Sequence, residues 1–263
     1  MRQLLDLHDD TQLARLMTNL GGHDLTTMDA RFMLVATPSG LSLAPEGGAH
    51  QSVHTPLIGI GQPGLTAFEP AFVDELVEIL RWSFEHMQED DGGSVYLRLS
   101  TRPVRQPTRA MTPTPTLRHE VVRGGYWLIP PMGDARLAIA VSGAVLPEAI
   151  EAHDRLADIV PGLGVLVVTS AGRLEREWRA SKRNRGSSHI EQLLADLTPS
   201  GSIISVVDAH PATLGWLGAV HGQRMLALGV DHFGQSGDIP DLFHAYGLDA
   251  DAIVSAARRL AVS

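Results

Sequence analysis

The sequence predicts an α/β protein with mostly parallel sheets. Three observations carry that expectation. Short, continuous apolar runs recur along the chain, as strands buried on both faces require. Longer segments with helical spacing separate them, the alternation that builds parallel sheets. Gly- and Pro-rich stretches punctuate both kinds of segment.

Residues 9 to 20 carry a weak helical pattern (Leu13, Leu16, Met17, Leu20) closed by Gly21 and Gly22, a C-terminal stop signal. "FMLVAT" at 32–37 reads as a buried strand ended by Pro38-Ser39-Gly40. The loop "LAPEGGAHQS" follows at 43–52. The clearest helix spans 69–89, with Pro70 near its first turn and an apolar face of Phe72, Leu76, Ile79, Leu80, Phe84 and Met87. "SVYLRLS" alternates Val95, Leu97 and Leu99 with polar residues, as a strand does. Residues 101–120, with four prolines, read as a linker. Beyond them come four apolar strands, "RLAIAVSG", "GVLVVTS", "SIISVVDA" and "RMLALGV". Helical segments are expected at 146–158, in much of 173–197, at 211–221 and at about 249–261.

Composition narrows the function classes. The 263 residues are 44% apolar and 19% charged, a globular balance that excludes wholesale disorder. A formal net charge of −9 argues against a nucleic-acid footprint. No cysteine is present, so disulfides, thiolate metal sites and cysteine nucleophiles are absent, in keeping with a cytoplasmic protein. No apolar run approaches the roughly 20 residues that a membrane helix needs, and the Asp-rich start does not read as a signal peptide.

Few motifs carry chemistry by themselves. No G-x-S-x-G elbow, Walker motif or G-x-G-x-x-G after a strand occurs. His50 and His54 could share a helix face as metal ligands, but their loop is rich in Gly and Pro and no third ligand is marked, so no metal site is expected. The basic run "RLEREWRASKRNR" reads as a solvated helix face, since Glu175 and Glu177 interrupt it. Glu46 and His50, close together in a flexible loop, could serve proton transfer, or could be incidental to a turn.

The longer context favours the first reading. "DARFMLVATPSGLSLAPEGGAHQS" followed by "LTAFEPAFVDELVEILRW" resembles the transketolase superfamily, nearest to the homodimeric decarboxylating component of pyruvate dehydrogenase complexes. "LGVDHFGQSGDIPDLFHAYGLDADAIV", with its G-x-D-x-F-G-x-S pattern, is similar to that family's last segment. "DAHPATLGWLGAVHG" and "SAGRLEREWR" also resemble it. The similarity runs from about Asp29 to Ser263.

The resemblance implies three α/β domains per family chain. The first holds the diphosphate of thiamin diphosphate through Mg²⁺, the second holds the aminopyrimidine, and the third helps to build a dimer. Here residues 29–100 resemble a partial pyrimidine-binding-type βαβ segment and residues 121–263 the transketolase C-terminal domain, after an N-terminal helical segment at 1–28. By the same match, Glu46 and His50 are the catalytic candidates, facing a 2-oxoacid substrate. An imidazole suits such a relay because it titrates near neutrality.

Other family features have no match. The Mg²⁺-holding G-D-G is replaced by "GDA" at 133 and "GDI" at 237, neither in the family's place, and the glutamate that activates the aminopyrimidine is not visible. The chain reads as two family segments joined near Thr26 to Asp29. Thiamin diphosphate and Mg²⁺ are therefore the implied cofactors with no residues assigned to hold them. The expected function is 2-oxoacid decarboxylation, of a pyruvate or 2-oxobutyrate type, when complemented by a cofactor-holding partner. The alternatives are a degenerate, non-catalytic paralogue acting as an assembly or regulatory module, and a stand-alone ligand-binding domain. With only two strands visible in the first sheet, the all-apolar 32–37 strand needs a cover, so a homodimer or a partner subunit is expected.

Overall fold

The computed structural model describes residues 4–7, 31–37, 40–107 and 114–262. The helix expected at 9–20 lies outside them. Two sheets organise the rest, and both are mostly parallel.

The first sheet contains β1 (Leu4–Leu7), β2 (Met33–Ala36), β3 (Leu65–Phe68) and β4 (Ser94–Arg98), in the order β1-β2-β4-β3, all parallel. The expected pair is present: Met33 lies opposite Val95 and Val35 opposite Leu97. The reading of two strands is corrected to four. β3 has only four residues, just after Gly64, too few to show a period of two. β1 pairs with β2 from the N-terminal segment read as helical. The chain therefore pairs the β2 edge itself, and the self-association argued from a bare edge loses that ground.

Helix α1 (Thr55–Gly61) lies between β2 and β3, and α2 (Val73–His86) joins β3 to β4. The expected apolar face of the α2 segment holds at Phe72, Leu76, Ile79, Leu80 and Met87 but not at Phe84. Phe84 is 56% exposed, whereas Glu75 and Ser83 are buried beside Ile79. Both buried polar groups are partnered. Ser83 Oγ donates to the Ile79 carbonyl at 2.6 Å. Glu75 accepts from the Ala71 and Phe72 N–H groups and from the Tyr126 hydroxyl. Satisfied polar groups can occupy positions that apolar spacing would assign to hydrocarbon.

The segment read as a linker holds the start of α3 (Pro115–Arg123). Thr114 caps it, its hydroxyl accepting from Leu117 N at 3.2 Å, and Pro115 occupies the first turn. Gly124 ends it at φ +113°.

The second sheet has the order β5-β7-β6-β8-β9, with β5 (Gly125–Ile129), β6 (Leu137–Ser142), β7 (Gly164–Val168), β8 (Ser202–Val207) and β9 (Arg224–Leu228). The four predicted strands are β6 to β9, all parallel; β5, not predicted, pairs antiparallel with β7. Side chains alternate along β6. Ile139 and Val141 join a core containing Ala149 and Ala152 of α4 (Leu146–Leu156) and Ile253 and Ala257 of α9 (Ala250–Val262). Ala138 and Ala140 face a second core with Leu174 of α5 (Ala171–Asn184) and Ile190 and Leu194 of α6 (His189–Leu194). Helices thus cover both faces, which is why these strands read as unbroken apolar runs. Short α7 (Ala212–Gly215) and α8 (Ile239–Ala245) complete the described helices.

The two sheets meet near their carboxyl ends. Glu69 N, just after β3, donates to Thr169 O after β7 at 2.8 Å, and Ser170 Oγ donates to Ala67 O at 2.6 Å.

Candidate functional site

The loop of residues 40–54 stands at this meeting point. It leaves β2, makes a 3-10 segment at Gly40–Glu46, turns at 48–50 and enters α1. Gly40 has φ +53°, and a Cβ there would overlap Asp208. Ala44 takes φ +42° without being glycine, a conformation that surrounding contacts must hold.

Asp208 follows β8 and is fully buried. One carboxylate oxygen accepts from Leu41 N at 2.6 Å, the other from Ser42 N at 2.9 Å. Burial pushes its carboxyl up to about 6, while Arg98 and the loop N–H groups pull the other way. Arg98, the last residue of β4, is 1% exposed. Its Nη1 donates to Glu69. Its Nη2 donates to Ser52 O at 2.6 Å and to Asp208 O at 2.7 Å. Burial raises the Glu69 carboxyl, and the charge and hydrogen bond of Arg98 oppose it. His210 N donates to Val53 O at 2.9 Å.

The tip of the loop rests on residues 233–237. Gln51 Nε2 donates to Gln235 O at 2.9 Å. A Cβ on Gly47 would meet Ser236, and one on Gly48 would overlap Gly234 and Phe233, so glycine lets the two backbones approach. The predicted pair sits on this tip. Glu46 and His50 are both exposed, and His50 N closes the turn onto Gly47 O at 3.0 Å. His54 is the exposed residue before α1, with its ring centroid 5.7 Å from that of His210. His50 thus stands in a turn and His54 at a helix start.

The sequence reading missed Arg98, Glu69 and Asp208. A signal for one of them exists: an aspartate directly after the apolar run "SIISVV", where strand ends in α/β sheets gather functional groups.

The residues present do not fit a thiamin diphosphate–Mg²⁺ site. Among the described residues no group of three or more His, Asp or Glu could hold a metal ion. Asp134 is exposed in a turn, and Asp238 caps α8, accepting from Asp241 N at 2.9 Å. The cavity between the strand ends, lined by Glu69, Tyr96, Arg98, Ser142 and Thr213, has about 20 Å³ of space, room for one water molecule and not a cofactor.

Two mostly parallel sheets joined at their carboxyl ends, with a loop from the first held by the second, define a transketolase-like α/β protein. Residues 124–249 belong to the transketolase-like C-terminal domain family, and the chain as a whole is similar to the C-terminal portion of pyruvate dehydrogenase E1 and transketolase proteins. It is 30% identical over 246 residues to the pyruvate dehydrogenase E1 component of Mycolicibacterium smegmatis, covering 86% of this chain and 25% of that protein. It is 26% identical over 235 residues to transketolase 2 of Xanthobacter flavus, covering 88% of this chain and 31% of that one. Among solved structures, transketolase from Leishmania mexicana superposes with a TM-score of 0.73 at 18% identity, over 99% of this chain and 33% of that one. The chain thus spans about a quarter to a third of the length of these relatives.

Proposed function

We propose that this chain supplies the substrate-facing loop and the C-terminal α/β unit of a thiamin diphosphate-dependent 2-oxoacid-decarboxylating enzyme. The diphosphate and Mg²⁺ are held with the help of a second chain, either a partner subunit carrying the cofactor domain or a second copy in a homodimer. In this reading Glu46 and His50 face the substrate and provide hydrogen bonds and proton relay. The observation that carries the proposal is the loop itself. Its tip presents an exposed carboxylate and an exposed imidazole, while its ends are fixed by a buried carboxylate and guanidinium. Among the described residues no helix is long and apolar enough to cross a membrane, and a cytoplasmic location belongs to the same proposal.

Calorimetry on the purified chain tests the division of labour. Titration with thiamin diphosphate and Mg²⁺ is expected to give no saturable micromolar binding. Saturable, Mg²⁺-dependent binding would show that this chain holds the cofactor itself. A second reading, a non-catalytic assembly or regulatory module, is favoured by the lack of a metal-holding group among the described residues. Co-purification from the native host distinguishes the two: a complex that releases CO₂ from pyruvate supports the enzyme, and an inactive complex supports the module.

A further inference from the structure

We propose that Asp208 and Arg98 are positioning residues that fix both ends of the 40–54 loop, so that one group from each sheet, Asp208 after β8 and Arg98 at the end of β4, sets where Glu46 and His50 stand. The loop's relevance to substrate rests on the function proposed above; its anchoring does not.

The anchoring is concentrated on one residue. At the loop's start, both oxygens of the Asp208 carboxylate are used by successive main-chain N–H groups, Leu41 and Ser42. Gly40 sits so close that no side chain fits between it and Asp208. At the loop's end, Arg98 Nη2 bridges Ser52 O and the main-chain oxygen of the same Asp208. His210, two residues further on, adds a bond to Val53 O. Residues 41 and 53 thus converge on residues 208–210. An apolar side chain at 208 would leave both of these N–H groups buried without an acceptor. A carboxylate whose two acceptor oxygens each meet a backbone N–H is suited to dictating backbone position, because no neutral side chain of that size offers two acceptors in this geometry. Glu69 lies on the other side of Arg98 and holds the guanidinium in place.

Hydrogen–deuterium exchange on the full chain reads the anchoring without any need for activity. In Asp208→Ala, exchange of residues 41–52 is expected to speed about tenfold or more, while residues 137–142 and 164–168 stay protected. Asp208→Asn keeps one acceptor and is expected to fall between wild type and Asp208→Ala. Ser205→Ala, on the strand that Asp208 follows and equally buried, is expected to leave the loop unchanged. Should Asp208→Ala not fold, Gly40→Ala tests the same contact with the carboxylate intact, since its Cβ pushes the loop off Asp208, and loop exchange is expected to rise. Unchanged loop exchange in these variants would overturn the proposal. So would loosening that spreads equally through 137–168, because the effect would then be general stability. A loop released as expected in a chain that no partner makes active would sink the enzymatic reading alone.

Discussion

Arg98 reaches Asp208 through its main-chain oxygen: Nη2 lies 2.7 Å from that carbonyl, while the carboxylate oxygens accept from Leu41 and Ser42 N–H. The same guanidinium is ion-paired with Glu69. One guanidinium therefore ties together the end of β4, the residue after β3, the end of the loop and the residue after β8. Four predictions follow from this arrangement and its surroundings.

Arg98→Met removes the counter-charge of a buried glutamate whose carboxyl burial already raises. Breaking such a pair from one side costs about 3–5 kcal/mol. Urea unfolding should show that loss, and the double variant Arg98→Met/Glu69→Leu should recover much of it. A single variant within about 1 kcal/mol of wild type would contradict the pairing.

Asp208 makes stability depend on pH. Its folded value of about 6 lies above the ordinary 3.8, so the native state takes up this proton before the unfolded state does. The group therefore favours folding increasingly as pH falls from 6 toward 4, and that contribution is gone above 6. Asp208→Asn stays neutral throughout. Between pH 4 and pH 7 the stability difference should move in favour of the asparagine variant by about 2–3 kcal/mol. A difference that stays flat across this range would show that the carboxyl is not shifted.

Tyr126 on β5 donates its hydroxyl to Glu75 Oε1 at 2.6 Å, while the other Glu75 oxygen accepts from Ala71 and Phe72 N–H at 2.7 and 2.9 Å at the start of α2. Tyr126→Phe takes a donor from this fully buried carboxylate and should cost about 1–3 kcal/mol. The midpoint of urea unfolding reports it, and an unshifted midpoint would mean that this link between strand and helix contributes nothing.

Glu46→Gln and His50→Ala change exposed side chains, so stability should remain within about 0.5 kcal/mol of wild type. In the complemented enzyme proposed above, His50→Ala should lower kcat/KM roughly 10²-fold, with a slower turnover for Glu46→Gln as well. Lost stability with unaltered kinetics would return the loop to a merely structural turn.

Local pattern made much of this molecule readable. "LAIAVS", "GVLVV" and "SIISVV" read as strands because helices cover both of their faces, so apolar residues fill most positions. The loop at 43–52 was legible from its glycines, proline and paired polar residues. Less legible were β3 and β5, which are too short or too mixed to show a period. Phe84 was misplaced for a related reason: helical spacing ranks residues by hydropathy, and Glu75 and Ser83 hold the buried face through hydrogen bonds.

The sequence by itself determined the class of fold, four strands of the second sheet, the helix after β3 and the two exposed polar residues of the loop, because each depends on residues near in the chain. Only the tertiary structure decided what holds that loop. Leu41 and Asp208 are 167 positions apart, and Arg98 and Asp208 are 110 apart. No local pattern links them; the bonds form because two sheets bring their carboxyl ends together, and there a carboxylate and a guanidinium excluded from water must find partners within reach.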